Sequence, residues 1–267
     1  MQMKKSLLEK TIQFKSMNKQ KNFYSVIIGT ELLNGRRKDA HFSFLNEQLL
    51  KRGWEQKGSF VIEDDTKLMY EVFNLIKSDP NSVMFCFGGI GATPDDYTRQ
   101  VAAKAFTNGA MEFNEEAKQR IIKQFKEEAY PHRINMSYFP INAKLLKNVV
   151  NDVAGFYLED RFFFTPGFPS MSQAMVIEAL DKLYAKNDKK YRRVLTASCG
   201  ENDLINCMKE IPKHLDLASL PKILEDKRKV VLSLAGFNKE EVEINFQIFI
   251  DYLEKNEVEY VLKDINF

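Results

Sequence analysis

The segment Gly88–Thr98, which reads GGIGATPDDYT, is the part of the sequence best suited to bind a phosphate. A glycine-rich turn lets backbone N–H groups approach an anion, and the hydroxyl of Thr93 adds a further donor. Asp95 and Asp96 follow directly. Because a carboxylate beside a phosphate is unfavourable unless a cation lies between them, the pair predicts a divalent metal ion such as magnesium. In the competing interpretation, the glycines only form a tight turn and Thr93 or Asp95 only caps a helix.

Two further acidic segments follow predicted strands. Glu31 lies in the segment Gly29–Gly35 (GTELLNG), and Asp64 and Asp65 follow the apolar Ile62. Ligands of open parallel sheets bind at the carboxyl ends of the strands, so these carboxylates are expected at the same edge as Asp96. Taken singly, Asp64 or Asp65 is better explained as a helix N-cap before Thr66 than as a metal ligand. Three acidic segments at three successive strand ends are harder to explain as caps.

These segments need a parallel sheet to bring them together, and the order of elements predicts one. Strands that alternate with helices of ten to thirteen residues are typical of βαβ units with helices on both faces of the sheet. Strands are predicted at 24–29, 59–62, 83–87, 149–157 and 161–165, and helices at 40–52, 67–77, from about 95, 114–128 and 171–184. The run Phe162–Phe164 and Trp54 are interpreted as core residues, and His41 as a surface or hydrogen-bonded residue.

The chain is predicted to contain an N-terminal extension (1–22), an α/β domain (23–185) and a smaller α/β module (191–267). The polar segment 185–190 lacks large apolar residues and is the best candidate for a linker. In the module, strands are predicted at 193–198, 230–235 and 258–262, with helices at 201–211 and 239–255.

Composition excludes several classes of protein. Of 267 residues, 39 are Lys or Arg and 37 are Asp or Glu, and this net charge of +2 argues against a dedicated nucleic-acid binder. No apolar run approaches the roughly 20 residues that span a bilayer. The 3 cysteines show no pairing or zinc spacing. We therefore expect a cytoplasmic protein with a small-molecule ligand and neither nucleic acid nor a membrane as partner.

With these motifs the chain resembles the molybdopterin-binding domain family, and within it the competence-damage-inducible (CinA) branch. That branch reads roughly GDELLxGxxxDTN, then VGDD, then GGLGPTxDDxT, and the three segments above follow the same order. Asn148 to Phe156 is similar to its NPVGTAPGF stretch, and Pro166–Ser170 to its PGVPSEM turn. Gly200–Leu204 is similar to its GESEL turn, so the resemblance covers about residues 23–256.

The resemblance implies a three-layer α/β domain with a mostly parallel sheet, followed by a small α/β module. It implies metal-dependent hydrolysis of ADP-ribose or a related nucleotide diphosphate to AMP and a sugar phosphate, and a homodimer. The deamidase domain of full-length CinA proteins is expected to be absent, because the chain ends at Phe267.

Roles for individual residues follow from the motifs together with this resemblance. Asp96, Asp65 and Asp95 are the expected catalytic residues. Glu31, Asp64 and Asp96 are expected to hold Mg²⁺ or another divalent metal. The expected phosphate- and ligand-binding residues are Gly88, Gly89, Gly91, Thr93, Gly29, Thr30, Pro166 and Gly167. Lys144 is a candidate for stabilising the leaving phosphate.

Departures from the CinA pattern leave alternatives open. Ile90 and Ala92 replace Leu and Pro, His41 stands where Asn is usual, Met171 replaces Glu, and Asn151-Asp152 replace Gly-Thr. A protein that binds molybdopterin or a nucleotide without turnover is therefore the first alternative. Adenylyl transfer to molybdopterin, as in relatives that synthesise the molybdenum cofactor, is the second.

Overall fold

A computed structural model describes residues 21–224 and 227–263 of the chain. These residues form two compact units that divide between Lys186 and Asn187. The predicted N-terminal extension lies outside the described residues except for Lys21 and Asn22, and Asn22 already belongs to the first strand.

The first unit is built on a six-stranded sheet and a two-stranded ribbon. Its strands are β1 (Asn22–Ile28), β2 (Gln56–Ile62), β3 (Ser82–Phe87), β4 (Met111–Phe113), β5 (Tyr138–Pro140), β6 (Lys144–Leu146), β7 (Gly155–Leu158) and β8 (Phe162–Thr165). The sheet has the order β2-β1-β3-β8-β7-β6, and β4 pairs with β5. Since β2, β1, β3 and β8 run parallel, their carboxyl ends share one edge. β7 and β6 are antiparallel additions.

Helices cover both faces of this sheet. They are α1 (Thr30–Leu33), α2 (His41–Lys51), α3 (Thr66–Lys77), α4 (Thr98–Phe106), α5 (Glu115–Phe125) and α6 (Pro169–Leu183), with 3₁₀ turns at Lys126–Ala129 and Arg133–Ser137. One apolar cluster joins a sheet face to α3 and α4, and another joins the opposite face to α2 and α6. The predicted three-layer, mostly parallel α/β fold is confirmed.

The aromatic run in β8 shows why the sheet is covered on both sides. Phe162 and Phe164 point into one cluster and Phe163 into the other, because successive side chains of a strand alternate between faces. All three are fully buried, which contributes about 1.5–3 kcal/mol each. Trp54 is also buried and donates its indole N–H to the Tyr184 carbonyl. Both predictions of core residues are confirmed.

Some predicted elements differ from the structure. The helix expected near Asp95 begins only at Thr98, because the chain first folds back so that the Thr98 amide donates to the Gly89 carbonyl. The strand expected at 149–157 begins at Gly155. The short strands β4, β5 and β6 were not predicted, since three residues carry too little alternation to be recognised.

The second unit pairs four antiparallel strands with two helices. Its elements are β9 (Tyr191–Ala197), a 3₁₀ turn (Glu201–Leu204), α7 (Ile205–Glu210), β10 (Asp216–Leu224), β11 (Lys227–Gly236), α8 (Lys239–Lys255) and β12 (Tyr260–Lys263). The order β10-β11-β9-β12 is that of a split β-α-β motif. The sequence missed β10, which contains Pro221; a proline is tolerated there because β10 is an edge strand. Within the described ranges of both units, no helix is long and apolar enough to cross a membrane.

Candidate functional site

The glycine loop, defined as residues 88–92 after β3, has its first two carbonyls held by the start of α4. The Thr98 hydroxyl donates to the Gly88 carbonyl at 2.9 Å. The Thr98 amide donates to the Gly89 carbonyl at 3.0 Å. Thr98 is fully buried, so both bonds are shielded from water.

Arg99 holds the next two carbonyls of the glycine loop. Its guanidinium donates to the Ile90 carbonyl and, at 2.8 Å, to the Gly91 carbonyl. Only 4% of Arg99 is exposed. Burial lowers the pKa of Arg99 to about 10, while the nearby Asp96 carboxylate acts in the opposite direction. The side chain therefore stays charged at neutral pH and can serve as a fixed clamp.

This arrangement leaves a row of amides available to a ligand. A trans peptide is planar, so each N–H points away from the preceding carbonyl. The carbonyls of residues 88–91 face Thr98 and Arg99, and the N–H groups of residues 89–92 face the other way. Within the part of the chain that the structure describes, these four N–H groups have no acceptor. Consecutive unpaired amides form a nest for an anion, and the four are called the amide nest below.

Two of the predicted phosphate donors are not part of the amide nest. The Gly88 amide donates to the Thr165 carbonyl at 2.9 Å, which continues the β3–β8 ladder. The Thr93 amide and hydroxyl both donate to Asp96 Oδ2, at 2.8 and 2.5 Å. In this structure the Gly88 and Thr93 donors are therefore engaged, whereas the Gly89 and Gly91 amides remain available. The assignment of these four residues to phosphate binding stays a prediction.

Asp95 and Asp96 precede α4, which begins at Thr98. The helix predicted from about residue 95 would have placed both in its first turn. Asp96 accepts both bonds from Thr93 on Oδ2, so its Oδ1 keeps no hydrogen bond within the described residues. Asp95 is exposed, and the nearby polar side chain of Thr93 is the main cause that lowers its pKa. Asp95 is therefore an ionised carboxylate at the mouth of the glycine loop.

The turn after β1 is closed by its neighbours. The Gly29 amide donates to the Ile62 carbonyl at 3.0 Å. The Thr30 amide and hydroxyl both donate to Asp64 Oδ2 at 2.9 Å. Gly29 and Thr30 therefore present no free donor to a ligand, and Asp64 ties the end of β2 to the end of β1.

The predicted metal ligands are likewise engaged separately. Glu31 lies 3.5 Å from the Arg37 guanidinium, and Asp64 is bonded to Thr30. Within residues 21–224 and 227–263, no group of three His, Cys, Asp or Glu side chains is placed to hold a metal ion. Asp65 accepts from the Leu68 amide at 2.6 Å, so its interpretation as the N-cap of α3 is confirmed.

The turn Pro166–Pro169 lies directly against the glycine loop. A Cβ built on Gly167 would stand 3.4 Å from the Gly88 Cα. The Gly167 carbonyl accepts from Arg37 Nη2 at 2.8 Å and is 3.2 Å from His41 Nε2. Pro166 and Gly167 therefore line the loop, as expected from their place in the sequence. Pro166 has no N–H to donate, whereas the Gly167 amide has no acceptor among the described residues.

His41 is hydrogen-bonded as predicted, but it is buried. Its ring stacks on Phe87 at a centroid distance of 4.5 Å, and Nδ1 lies 3.4 Å from the Ser172 hydroxyl. Burial is the main cause that lowers the pKa of His41. A neutral imidazole that donates from Nε2 to Gly167 and accepts at Nδ1 from Ser172 satisfies both contacts.

Lys144 does not belong to this site. It lies in β6, separated from β3 by β8 and β7, and its ammonium is 2.8 Å from Asp160.

Two of the residues that depart from the CinA pattern lie close together near the start of α6. The Asn151 amide is 4.0 Å from the Met171 sulfur, and the buried Asn148 donates to Asn151 at 2.7 Å.

Sequence reasoning missed three residues of the site: Arg37, Thr98 and Arg99. Arg99 carried a usable signal, because a charged residue that directly precedes a mostly apolar segment of a helix (residues 101–105) needs a polar partner if it is buried. Arg37 carried none, since its contact with Gly167 spans 130 positions of the chain.

Comparison with known proteins finds a matching family profile, related sequences and a solved structure with a similar fold. The profile described as "Probable molybdopterin binding domain" matches residues 25–185. A CinA-like protein of Sulfurihydrogenibium is 27% identical over 79% of this chain, which spans 58% of that relative's length. A protein of Caldivirga maquilingensis is 29% identical over 82% of this chain and 90% of its own. The crystal structure of a CinA protein of unknown function from Thermoplasma acidophilum matches 61% of this chain and 96% of its own, with 26% identity and a TM-score of 0.54.

Proposed function

The chain belongs to the probable molybdopterin binding domain family, and on that premise we propose that its first unit binds the diphosphate of a nucleotide and hydrolyses it. ADP-ribose is the proposed substrate, with AMP and ribose 5-phosphate as products. The observation that carries the proposal is the amide nest of residues 89–92. Four consecutive N–H groups without an acceptor fit the oxygens of a phosphate, and the buried Thr98 and Arg99 fix the peptides that carry them.

Hydrolysis adds one water across the phosphoanhydride. The water oxygen forms a bond to one phosphorus, the bridging P–O bond breaks, and the water proton passes to a base. Asp95 is the proposed base, because it is ionised, exposed and adjacent to Asp96. Asp65 is a weaker candidate, since it already accepts from the N-terminus of α3. The amide nest would stabilise the charge that develops on the phosphate oxygens.

The carboxylates fit a magnesium ion that arrives with the substrate better than one held permanently. Mg²⁺ keeps several waters and is often held by one or two carboxylates together with substrate phosphates. Asp96, with Oδ1 unpaired, would be its protein ligand; Glu31 and Asp64 are engaged elsewhere. When bound, the ion supplies charge neutralisation and an acidified water.

Incubation with ADP-ribose, with and without Mg²⁺, tests the proposal when AMP is read by chromatography. We expect AMP only with the metal, and a loss of at least about 100-fold in Asp96→Asn. Asp251→Asn, a substitution of an exposed aspartate on α8, is the matched control and should retain full activity. AMP release that is unchanged in Asp96→Asn would overturn the assignment of Asp96.

A protein that binds a nucleotide or molybdopterin without turnover is the second candidate. It is favoured by the separate engagement of Glu31, Asp64 and Asp96 and by the contact between Asn151 and Met171. Binding of AMP without hydrolysis under any metal would select it. Transfer of an adenylyl group to molybdopterin would instead release pyrophosphate from ATP.

The homodimer stays a prediction that sedimentation can test.

A further inference from the structure

Phe168 is a large apolar side chain that the fold leaves in solvent. It occupies the turn between β8 and α6, and 60% of it is exposed. The three phenylalanines of β8 just before it are fully buried. An exposed aromatic residue beside a candidate ligand site offers a flat apolar face that a ligand can contact.

The backbone beneath this ring is fixed more firmly than an ordinary surface turn. The carbonyl of the preceding Gly167 is bonded to Arg37 at 2.8 Å and lies 3.2 Å from His41 Nε2. Two amides of α6, those of Met171 and Ser172, donate to the Phe168 carbonyl at 3.0 Å. The backbone that carries the ring is therefore fixed before any ligand binds, so a contact would cost only the side-chain entropy of Phe168.

The position of the ring is set by the same contacts. Gly167 touches Gly88, so the turn that carries Phe168 borders the glycine loop and its amide nest. The Arg37 guanidinium lies 5.6 Å from the centre of the Phe168 ring and covers one face. The remaining exposed surface is available to a flat partner.

We propose that Phe168 is the stacking platform for the purine base of the nucleotide whose phosphate lies in the amide nest. The proposal rests on the proposed function and names the residue that selects a nucleoside over a bare sugar phosphate. Stacking needs only a flat π-face, which adenine has and ribose 5-phosphate lacks. Arg37 on the opposite face strengthens the arrangement through its attraction to the ring.

Calorimetric titration of the whole chain with AMP and, separately, with ribose 5-phosphate tests this role. In Phe168→Ala we expect AMP binding to weaken at least about 5-fold, while ribose 5-phosphate binding changes less than about 2-fold. Phe168→Trp should keep the AMP affinity, and its indole fluorescence should be quenched when AMP binds. Phe113→Ala, which removes a similarly exposed ring from β4, should leave both affinities unchanged.

The outcomes separate this proposal from the function on which it rests. Equal AMP affinity in the original protein and Phe168→Ala overturns the stacking role and leaves nucleotide binding intact. An equal loss for both ligands also overturns it, because the ring would then support the loop and not the base. If the original protein binds neither ligand, the proposed function itself is overturned.

Discussion

Two glycine turns at the ends of neighbouring strands look alike in the sequence and differ in what they offer a ligand. After β3, Thr98 and Arg99 bind the carbonyls of residues 88–91, and the following amides have no acceptor among the described residues. After β1, the amides of Gly29 and Thr30 are taken by the Ile62 carbonyl and the Asp64 carboxylate. The first turn is open to an anion and the second is closed.

The difference lies in whether the groups that meet each turn are hydrogen-bond donors or acceptors. A cation or hydroxyl beside the turn binds carbonyls and releases amides, as Arg99 does, whereas a carboxylate binds amides, as Asp64 does. A glycine-rich turn therefore becomes an anion site only when a donor from elsewhere holds its carbonyls.

The largest effect should come from Arg99→Met, which removes the clamp but keeps a long apolar side chain. The Ile90 and Gly91 carbonyls lose their donor, and each buried carbonyl left unpaired costs about 1–3 kcal/mol. Since the amide nest depends on those carbonyls, AMP binding should fall about 100-fold or more. Urea unfolding and calorimetric titration measure the two effects.

Arg161→Met is the matched control for this loss. Arg161 also donates to backbone carbonyls, those of Ser82 and Asp79, at 3.0 and 2.9 Å, but at the amino end of β3. It should lower the free energy of unfolding and leave the AMP affinity of the folded protein unchanged. Comparable binding losses in both variants would mean that general destabilisation, and not the clamp, controls the site.

A pair of glycine substitutions, one in each turn, should have unequal effects on AMP binding and stability. Gly89 has a φ of +68°, and a Cβ there would collide with the buried Thr98 hydroxyl. Gly89→Ala should therefore lower the free energy of unfolding by about 1–3 kcal/mol and weaken AMP binding. In Gly29→Ala the new Cβ meets only the mobile end of Glu31, at 2.9 Å, on extended backbone.

We expect Gly29→Ala to cost less than about 1 kcal/mol and to leave AMP binding within about 2-fold. Both values come from the same urea and calorimetry series. If the two alanine variants lose affinity equally, the turn after β1 takes part in binding, and its closed amides must open when the ligand arrives.

The sequence predicted the sheet and the edge at which the site lies, because long strands such as β3 and the glycines after them carry a strong local signal. It did not predict which amides are free. That depends on contacts between distant positions, such as Thr30 with Asp64 and Arg37 with Gly167. The acidic residues illustrate the same limit. Their spacing suggested one metal centre, but in the structure Asp65 and Asp96 each accept a hydrogen bond from a nearby backbone amide.

The smallest effect should come from His41. Its contact with Gly167 helps to hold the turn 166–169 against the glycine loop after β3. Among the described residues, no histidine makes a comparable contact with the turn after β1. Burial lowers the pKa of His41 in the folded chain below the unfolded value of about 6.5. Below that pH the unfolded chain binds more protons than the folded one, so stability is present above pH 6.5 and is lost as the pH falls. His41→Asn removes this term, and the difference in unfolding free energy between the two proteins should shrink by less than about 1 kcal/mol from pH 7 to pH 5. Urea unfolding at each pH measures that difference, in which the titration of the carboxylates cancels. Parallel curves for the two proteins would show that His41 keeps an ordinary pKa and that burial does not disfavour its charged form.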